Sequence, residues 1–195
     1  MSIADKEKWD QKYIDKPRLL NPRAASVVVT EYAFKGEGLA ALDLACGAGR
    51  NALYLAEVHY QVDAVDVAEI ALDALREDAL QRGVAEYVSP VLQDLDSFTP
   101  KSDFYDVIVM NNFLDRELIK RTKVGLKIGG RYIVETYMVD DSNEKKDSKV
   151  SNLLNVGELK EIFRDGFKVL HYDEYENEAY EIYRMKKQVI VVEKL

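Results

Sequence analysis

Cysteine is almost absent: Cys46 is the only one in 195 residues, which excludes an intrachain disulfide and suits a reducing compartment. Histidine occurs only as His59 and His171, far apart and without ligand-like spacing, so no metal centre is expected. No apolar run approaches the length of a membrane span. The opening stretch MSIADKEKWDQKY has no apolar core of signal-peptide length, and a cytoplasmic protein is the economical reading. Basic residues are outnumbered, 27 Lys and Arg against 35 Asp and Glu for a net charge of −8. Such a surface repels a polyphosphate backbone, so nucleic acid is a disfavoured partner. The short EKKDSK run at 144–149 has mixed signs and reads as a solvated loop. Repeats and low-complexity segments are missing too.

What is present is an ordinary globular composition, 47% hydrophobic and 32% charged, in a chain long enough for one well-buried domain. Residues 1–16 place Trp9, Tyr13 and Ile14 on one helix face. Pro17 and Pro22 bracket a break, after which RAASVVVTEYAF forms another helix, although its Val triplet also suits a strand. From Leu39 strands and helices alternate. LAALDLA, YQVDAVD, YVSPVLQ, YDVIVMN and RYIVETYM read as strands; Pro90 suggests an irregular or edge position for the third, and Gly129–Gly130 make a tight turn into the fifth. GRNALYLAEV, EIALDALREDALQRG, LDRELIKRTKVGL and NVGELKEIFRD read as helices. FKVLHYDEY and KKQVIVVEK follow at hairpin distance. The alternation predicts an α/β fold, a doubly wound, mostly parallel sheet finished by an antiparallel C-terminal hairpin. Residues 1–38 would form a helical cap or lid, and 39–195 the sheet core. The polar stretch 139–152 is either disordered or a cover over an acceptor site, with Leu153 and Leu154 reaching toward the pocket.

In such folds ligands bind beyond the carboxyl ends of the strands, at the switch in strand order. Asp43 to Gly49, Asp66, Asp94 and Asn111 all fall there. Gly47 and Gly49 let the main chain approach a ligand, and the helix start after them favours an anion or polar acceptor. GAGRNA alone also meets a dinucleotide pattern, but Asp43 opposes a pyrophosphate and suits an ammonium. Asp66 suits a ribose diol, and Asp94 with Leu95 suits an adenine. Amine, carboxylate, ribose and adenine together describe S-adenosylmethionine better than NAD.

The stretch LDLACGAGRNALYLA resembles the first motif, D-x-x-x-G-x-G, of class I S-adenosylmethionine-dependent methyltransferases. The similarity continues through AVDVA, LQDLDSF, YDVIVMNNFLDREL, LKIGGRYIVETY and GFKVLHYDE. GRN, WDQKY and FLDR are similar to the small tellurite-resistance-type, TehB-like branch. The resemblance implies a Rossmann-like sheet of seven strands with the last antiparallel. It places Asp43, Gly47 and Gly49 at the methionine end, Asp66 at the ribose, Asp94 and Leu95 at the adenine, and Asn111 near the methyl. Ala45, Asn51 and Val67 join that cofactor set, with Trp9 and Tyr13 as an aromatic lid over the sulfonium, or merely as packing of the first helix. Asn112 and Arg116 are candidate substrate contacts; Arg116 is otherwise expected to pair with Glu117 or Asp115. The MNNFLDR segment lacks the N-P-P-Y signature of adenine or glutamine amino-group methylation.

A sulfonium methyl is already activated, so displacement needs alignment and a desolvated nucleophile, and no general base is nominated. Cys46, with no histidine beside it, is read as a small filler. The expected function is methyl transfer to a small acceptor such as a thiol or metalloid oxyanion. The rivals are a non-catalytic S-adenosylmethionine-binding domain and an NAD-dependent oxidoreductase.

Overall fold

The computed structural model describes residues 3–21, 23–177 and 181–195. Its centre is a sheet of seven strands: β1 (Ala40–Leu44), β2 (Gln61–Asp66), β3 (Val88–Leu92), β4 (Tyr105–Asn111), β5 (Leu126–Tyr137), β6 (Phe167–Glu176) and β7 (Lys186–Lys194). They lie in the order β3-β2-β1-β4-β5-β7-β6. The first five strands run parallel, and β7 lies antiparallel between β5 and β6. Pro90 sits in the edge strand β3, where a missing N–H does least damage. The chain order reverses between β1 and β4, which puts a crevice beyond Leu44 and Asn111.

Among the described residues six α-helices accompany the sheet: α1 (Ile3–Asp15), α2 (Val27–Tyr32), α3 (Arg50–Glu57), α4 (Glu69–Gln81), α5 (Arg116–Thr122) and α6 (Glu158–Ile162). Strand alternation sorts the core into two faces. Ala41, Val107, Val109, Ile133, Val189 and Val191 pack under α2, α3 and α4. Leu42, Ile108, Met110, Tyr132, Val134 and Ile190 pack under α5 and α6. The Val triplet goes helical because Val28 and Val29 pack into the first of these cores, while Val27 stays exposed.

Three expectations need correction. β5 begins at Leu126, so Gly129 and Gly130 lie inside it rather than before it. They form an irregularity in which Leu126 pairs with Tyr105 but Arg131 already pairs with Val107. A Cβ at position 130 would lie 2.9 Å from the Lys127 carbonyl oxygen, so the bulge requires glycine there. Ile14 does not share the Trp9–Tyr13 face: it is exposed while Tyr13 is buried, because five residues of helix rotate it away from Trp9. Leu154 points into the core on the α5 and α6 side and pairs with Met138, instead of reaching a pocket. Pro17 opens a 3₁₀ turn as the expected break, and Pro22 lies outside the described residues.

The first helix docks across the amino end of α4. Asp10 Oδ1 accepts from Ile70 N at 3.2 Å, and Lys6 pairs with Glu69 at 3.1 Å. The N-cap position of α4 is Ala68, whose side chain caps nothing, so α1 supplies the acceptor that the helix lacks. Trp9 and Tyr13 then pack on Ala68 and Ala71. No helix among the described residues is long and apolar enough to cross a membrane.

Candidate functional site

The chain leaves β1 in a tight loop. Ala45, Gly47 and Gly49 all take positive φ (55°, 53° and 82°), and Gly49 caps α3. Position 49 must be glycine for two reasons: the left-handed φ, and a Cβ that would lie 2.2 Å from Leu75 Cδ1 on α4. At Gly47 the nearest atom to a built Cβ is the Tyr13 hydroxyl, at 2.9 Å. The first helix therefore sits directly over the glycine loop, with its hydroxyl toward the backbone.

Asp66, at the end of β2, locks that loop. Its Oδ2 accepts from Gly47 N at 2.8 Å and its Oδ1 from Ala68 N at 2.9 Å. Burial raises its pKa, and hydrogen bonds from Ala68, Gly47 and Val67 pull it back. A carboxylate offers about four lone-pair sites, so these three bonds leave capacity for one further donor. Asp43 is different. It is buried, and burial pushes its pKa up to about 7 against the lowering effects of the Ala52 N–H and Arg50. Its Oδ2 is buried without a hydrogen-bond partner, and so is the Nδ2 of Asn111 at the end of β4. Arg50 connects the two, donating to Asn111 Oδ1 at 2.7 Å while its charge bears on Asp43. A buried acceptor and a buried donor thus stand open at adjacent strand ends, each an unsatisfied cost in the chain by itself.

Residues 41–130 match the family model of the methyltransferase domain. From Haemophilus influenzae, the "Probable S-adenosyl-L-methionine-dependent methyltransferase TehB" is 31% identical over 140 residues, 68% of this chain. The match takes in 47% of that relative, so the chain spans about half its length. The crystal structure of TehB from Haemophilus influenzae superposes with a TM-score of 0.77 at 25% identity, over 97% of this chain and 67% of that one. The chain belongs to the TehB-like branch of the class I S-adenosylmethionine-dependent methyltransferases. The [4+2]-cyclase SpnF also superposes, with a TM-score of 0.77 over 97% of this chain and 96% of its own, at 18% identity. At that identity the likeness shows the fold alone.

Beyond Asn111 the polar row continues along the sheet. Glu135 on β5 lies in register with Asn111 and is fully buried. It accepts from the Ser26 hydroxyl and pairs with Lys187 of β7 at 3.3 Å. Lys187, 0% exposed, also pairs with Glu181 at 2.9 Å. Sequence reasoning missed all four. The available signal was a glutamate inside RYIVETY and a lysine at the head of KKQVIVVEK, charges where a buried strand is apolar. Ser26 N donates to Asn51 Oδ1 at 3.0 Å, so Ser26 pins the N-terminal segment to both α3 and the sheet.

The remaining named residues scatter. Asp94 bends the chain after β3 by accepting from Asp96 N at 2.8 Å. The Leu95 side chain is fully buried in the core. Val67 is buried beside Asp66. Asn112 takes positive φ and donates its N–H to the Glu135 carbonyl at 2.8 Å, the turn role. Arg116 pairs with Glu158, not Glu117 or Asp115, and also donates to the Ser151 and Leu153 carbonyls at 2.8 and 2.9 Å. Asp115 instead caps α5 through Leu118 N. The 139–152 stretch is anchored: Asn143 donates to the Met138 carbonyl and accepts from Lys186 N, and Glu144 N donates to the Arg184 carbonyl. Lys12 lies 3.7 Å from the Trp9 ring centroid, so one face of the indole already meets a cation. Burial pushes the Cys46 thiol up, with Asp66 and Asp43 adding to it, which leaves it a poor nucleophile. His59 and His171 stack beside Tyr87 and Tyr32, away from the crevice. No group of acids, histidines and cysteine suited to a metal occurs among the described residues.

Proposed function

We propose that the chain transfers a methyl group from S-adenosylmethionine to a small acceptor in the crevice beyond β1, β2 and β4. One observation carries this reading: Asp43 is a buried acid with an unpartnered oxygen, beside a loop of positive-φ residues opening α3. That donor set fits an amino acid zwitterion, with an acceptor for its ammonium and backbone N–H groups for its carboxylate. A pyrophosphate at the same place would meet Asp43 charge against charge.

In this reading the turn through Ala45, Gly47 and Gly49 brings the opening N–H groups of α3 to the methionine carboxylate, and Asp43 holds its ammonium. Asp66 and Val67 face the ribose. The adenine falls to the turn at Asp94 and Leu95, through its backbone, since the Leu95 side chain lies in the core. Asn51 acts indirectly, by fixing Ser26. The first helix, part of the 1–38 cap over the 39–195 core, closes the loop side, with the Tyr13 hydroxyl over Gly47. The bound cofactor supplies a methyl already activated on a sulfonium. The protein's contribution is alignment and exclusion of water. Asn111 orients the reacting pair through its free Nδ2, and no histidine at these strand ends serves as a base among the described residues.

The test is methyl transfer from labelled donor across thiols, metalloid oxyanions, amines and small acids, beside binding titrations of S-adenosylhomocysteine and NAD. Transfer to one acceptor class is expected. Binding of S-adenosylhomocysteine without turnover of any acceptor would favour the non-catalytic reading. Binding of NAD alone would overturn both.

A further inference from the structure

The amino ends of the strands, opposite the crevice, enclose a cavity of about 360 Å³, in the lower part of the range for small-molecule sites. Leu39 and Val107 form its floor, and both belong to the core under α2, α3 and α4. Phe34 and Ile128 stand exposed at its rim. Val107 precedes Asn111 on β4 by four residues, so about 13 Å of strand separates the cavity from the crevice.

Three polar groups in the wall keep donors to spare. Tyr60, just before β2, is 4% exposed and lines the cavity, and its hydroxyl makes no hydrogen bond among the described residues. The ring is held from outside, because the connection from α2 to β1 presses on it at Gly36, where a Cβ would lie 2.2 Å from Tyr60 Cδ2. Arg131 of β5 spends Nη1 on the Tyr32 carbonyl at 2.6 Å, one bond from a group with five N–H donors. Neither Arg131 nor Lys35 pairs with a carboxylate among the described residues, in a chain where acids outnumber bases 35 to 27. The one acid in the wall is answered locally: Asp106 Oδ2 accepts from Ala40 N at 2.9 Å and from Lys127 at 2.8 Å. Burial raises the Tyr60 pKa, Arg131 lowers it and Asp106 raises it again, so both charges bear on that hydroxyl.

A guanidinium with free N–H groups beside a phenol hydroxyl is a donor set for a carboxylate. Tyr32, Phe34 and Tyr60 offer ring faces and edges to an aromatic body. Asp106 sets the charge, since a dianion such as a phosphate monoester would meet more repulsion from it than a monoanion. We propose that this cavity is a second ligand site, taking an aromatic carboxylate with its acid group on Arg131 and the Tyr60 hydroxyl, Lys35 at the mouth, and its ring against Phe34 and Ile128. The site stands apart from the methyltransferase reading: it shares no residue with the glycine loop or with the acids of the crevice.

The experiment is titration of the full chain with benzoate and phenylacetate, read by calorimetry and by backbone amide shifts, beside benzyl alcohol, phenyl phosphate and acetate. The aryl acids should bind at least about tenfold more tightly than benzyl alcohol, the scale of one charged hydrogen bond, and more tightly than phenyl phosphate or acetate. The shifts should concentrate at residues 32–39, 60 and 128–131, and saturating S-adenosylhomocysteine should leave them in place. Tyr60→Phe should weaken the acids about fivefold and keep its melting temperature, because that hydroxyl supports nothing in the protein. Lys35→Ala, at an exposed side chain, should cost about twofold to threefold. Arg131→Met should erase the preference for acids over the alcohol; if it unfolds with the loss of the Tyr32 contact, the two milder variants still decide. Aryl acids that bind no better than benzyl alcohol, or that shift only amides of the glycine loop, would overturn the proposal. So would unchanged aryl-acid affinity in both Tyr60→Phe and Lys35→Ala, and a lowered melting temperature in that Tyr60→Phe protein would make the hydroxyl structural. Phenyl phosphate as the tightest ligand would overturn the assignment of a carboxylate.

Discussion

The β2–β1–β4 end of the polar row and the β5–β7 end handle buried charge in opposite ways. At the first end Asp43 keeps an oxygen with no partner, and its pKa rises to about 7 because burial outweighs the help of Ala52 and Arg50. At the second, Lys187 pairs with both Glu135 and Glu181, and the Ser26 and Tyr137 hydroxyls donate to those carboxylates. An unpaired buried acid destabilises the protein until a cation arrives; a paired cluster is stable until a partner is removed. The first arrangement is an appetite for a ligand, and the second is an interaction already satisfied from within.

The comparison breaks most visibly at Lys187. Lys187→Met leaves Glu135 buried without its cation and should cost about 4 kcal/mol, read as a lowered urea midpoint. Asp43→Asn should do the reverse at pH 8 and stabilise the ligand-free protein, since it removes a charge whose burial outweighs the help of Ala52 and Arg50. Equal losses from the two substitutions would erase the contrast. Gly49→Ala comes next. The left-handed φ and the clash with Leu75 together should cost about 3 kcal/mol, and a melting temperature within a degree of wild type would show that the loop gives way. Asp66→Ala frees Gly47 N and removes the acceptor proposed for the ribose, so S-adenosylhomocysteine should bind about tenfold to a hundredfold more weakly. An unchanged dissociation constant in a folded variant would take Asp66 out of the site. Tyr13→Phe is the smallest change. Loss of the hydroxyl over Gly47 should cost about 0.5–1 kcal/mol of cofactor affinity, with emission of Trp9, the only tryptophan, shifting on ligand addition. Full affinity in Tyr13→Phe with a silent Trp9 would make α1 a docked helix and no lid.

The first end was legible in the sequence because its parts are close together. Asp43, Gly47 and Gly49 lie within seven residues, and each following acid ends a strand whose apolar run announces it. The roles were less legible than the positions. Nothing local says that Asp66 spends a bond on each of Gly47 and Ala68, or that Leu95 turns into the core. The second end was not legible because it is assembled across 109 residues, from Ser26 to Glu135, and across the antiparallel pairing of β5 with β7. Alternation does put Glu135 and Lys187 on the face that holds Ile133 and Val189, but only the strand order makes them neighbours. Arg116 shows the same limit: its partner Glu158 is 42 residues away, while the acids beside it in sequence looked sufficient. The glycine pair at 129 and 130 misled for a local reason, since a bulge inside a strand and a turn before one use the same residues.

Asp43 gives the account its sharpest test. Burial pushes its pKa in the folded, ligand-free protein up to about 7, from the usual carboxylate value near 4. A raised carboxylate pKa means that wild-type stability declines as pH climbs from about 4 to 7 and levels off above, a slope that Asp43→Asn should lack. An ammonium docking on Asp43 favours its ionised form, so binding near pH 6 must release a proton. Calorimetric titration of S-adenosylhomocysteine at pH 6 and pH 8, in buffers of different ionisation enthalpy, measures that release. The account predicts uptake of about one proton by the buffer at pH 6, almost none at pH 8, and none at either pH in Asp43→Asn. Binding at pH 6 with no proton released from the wild type, or no binding at all, would contradict it.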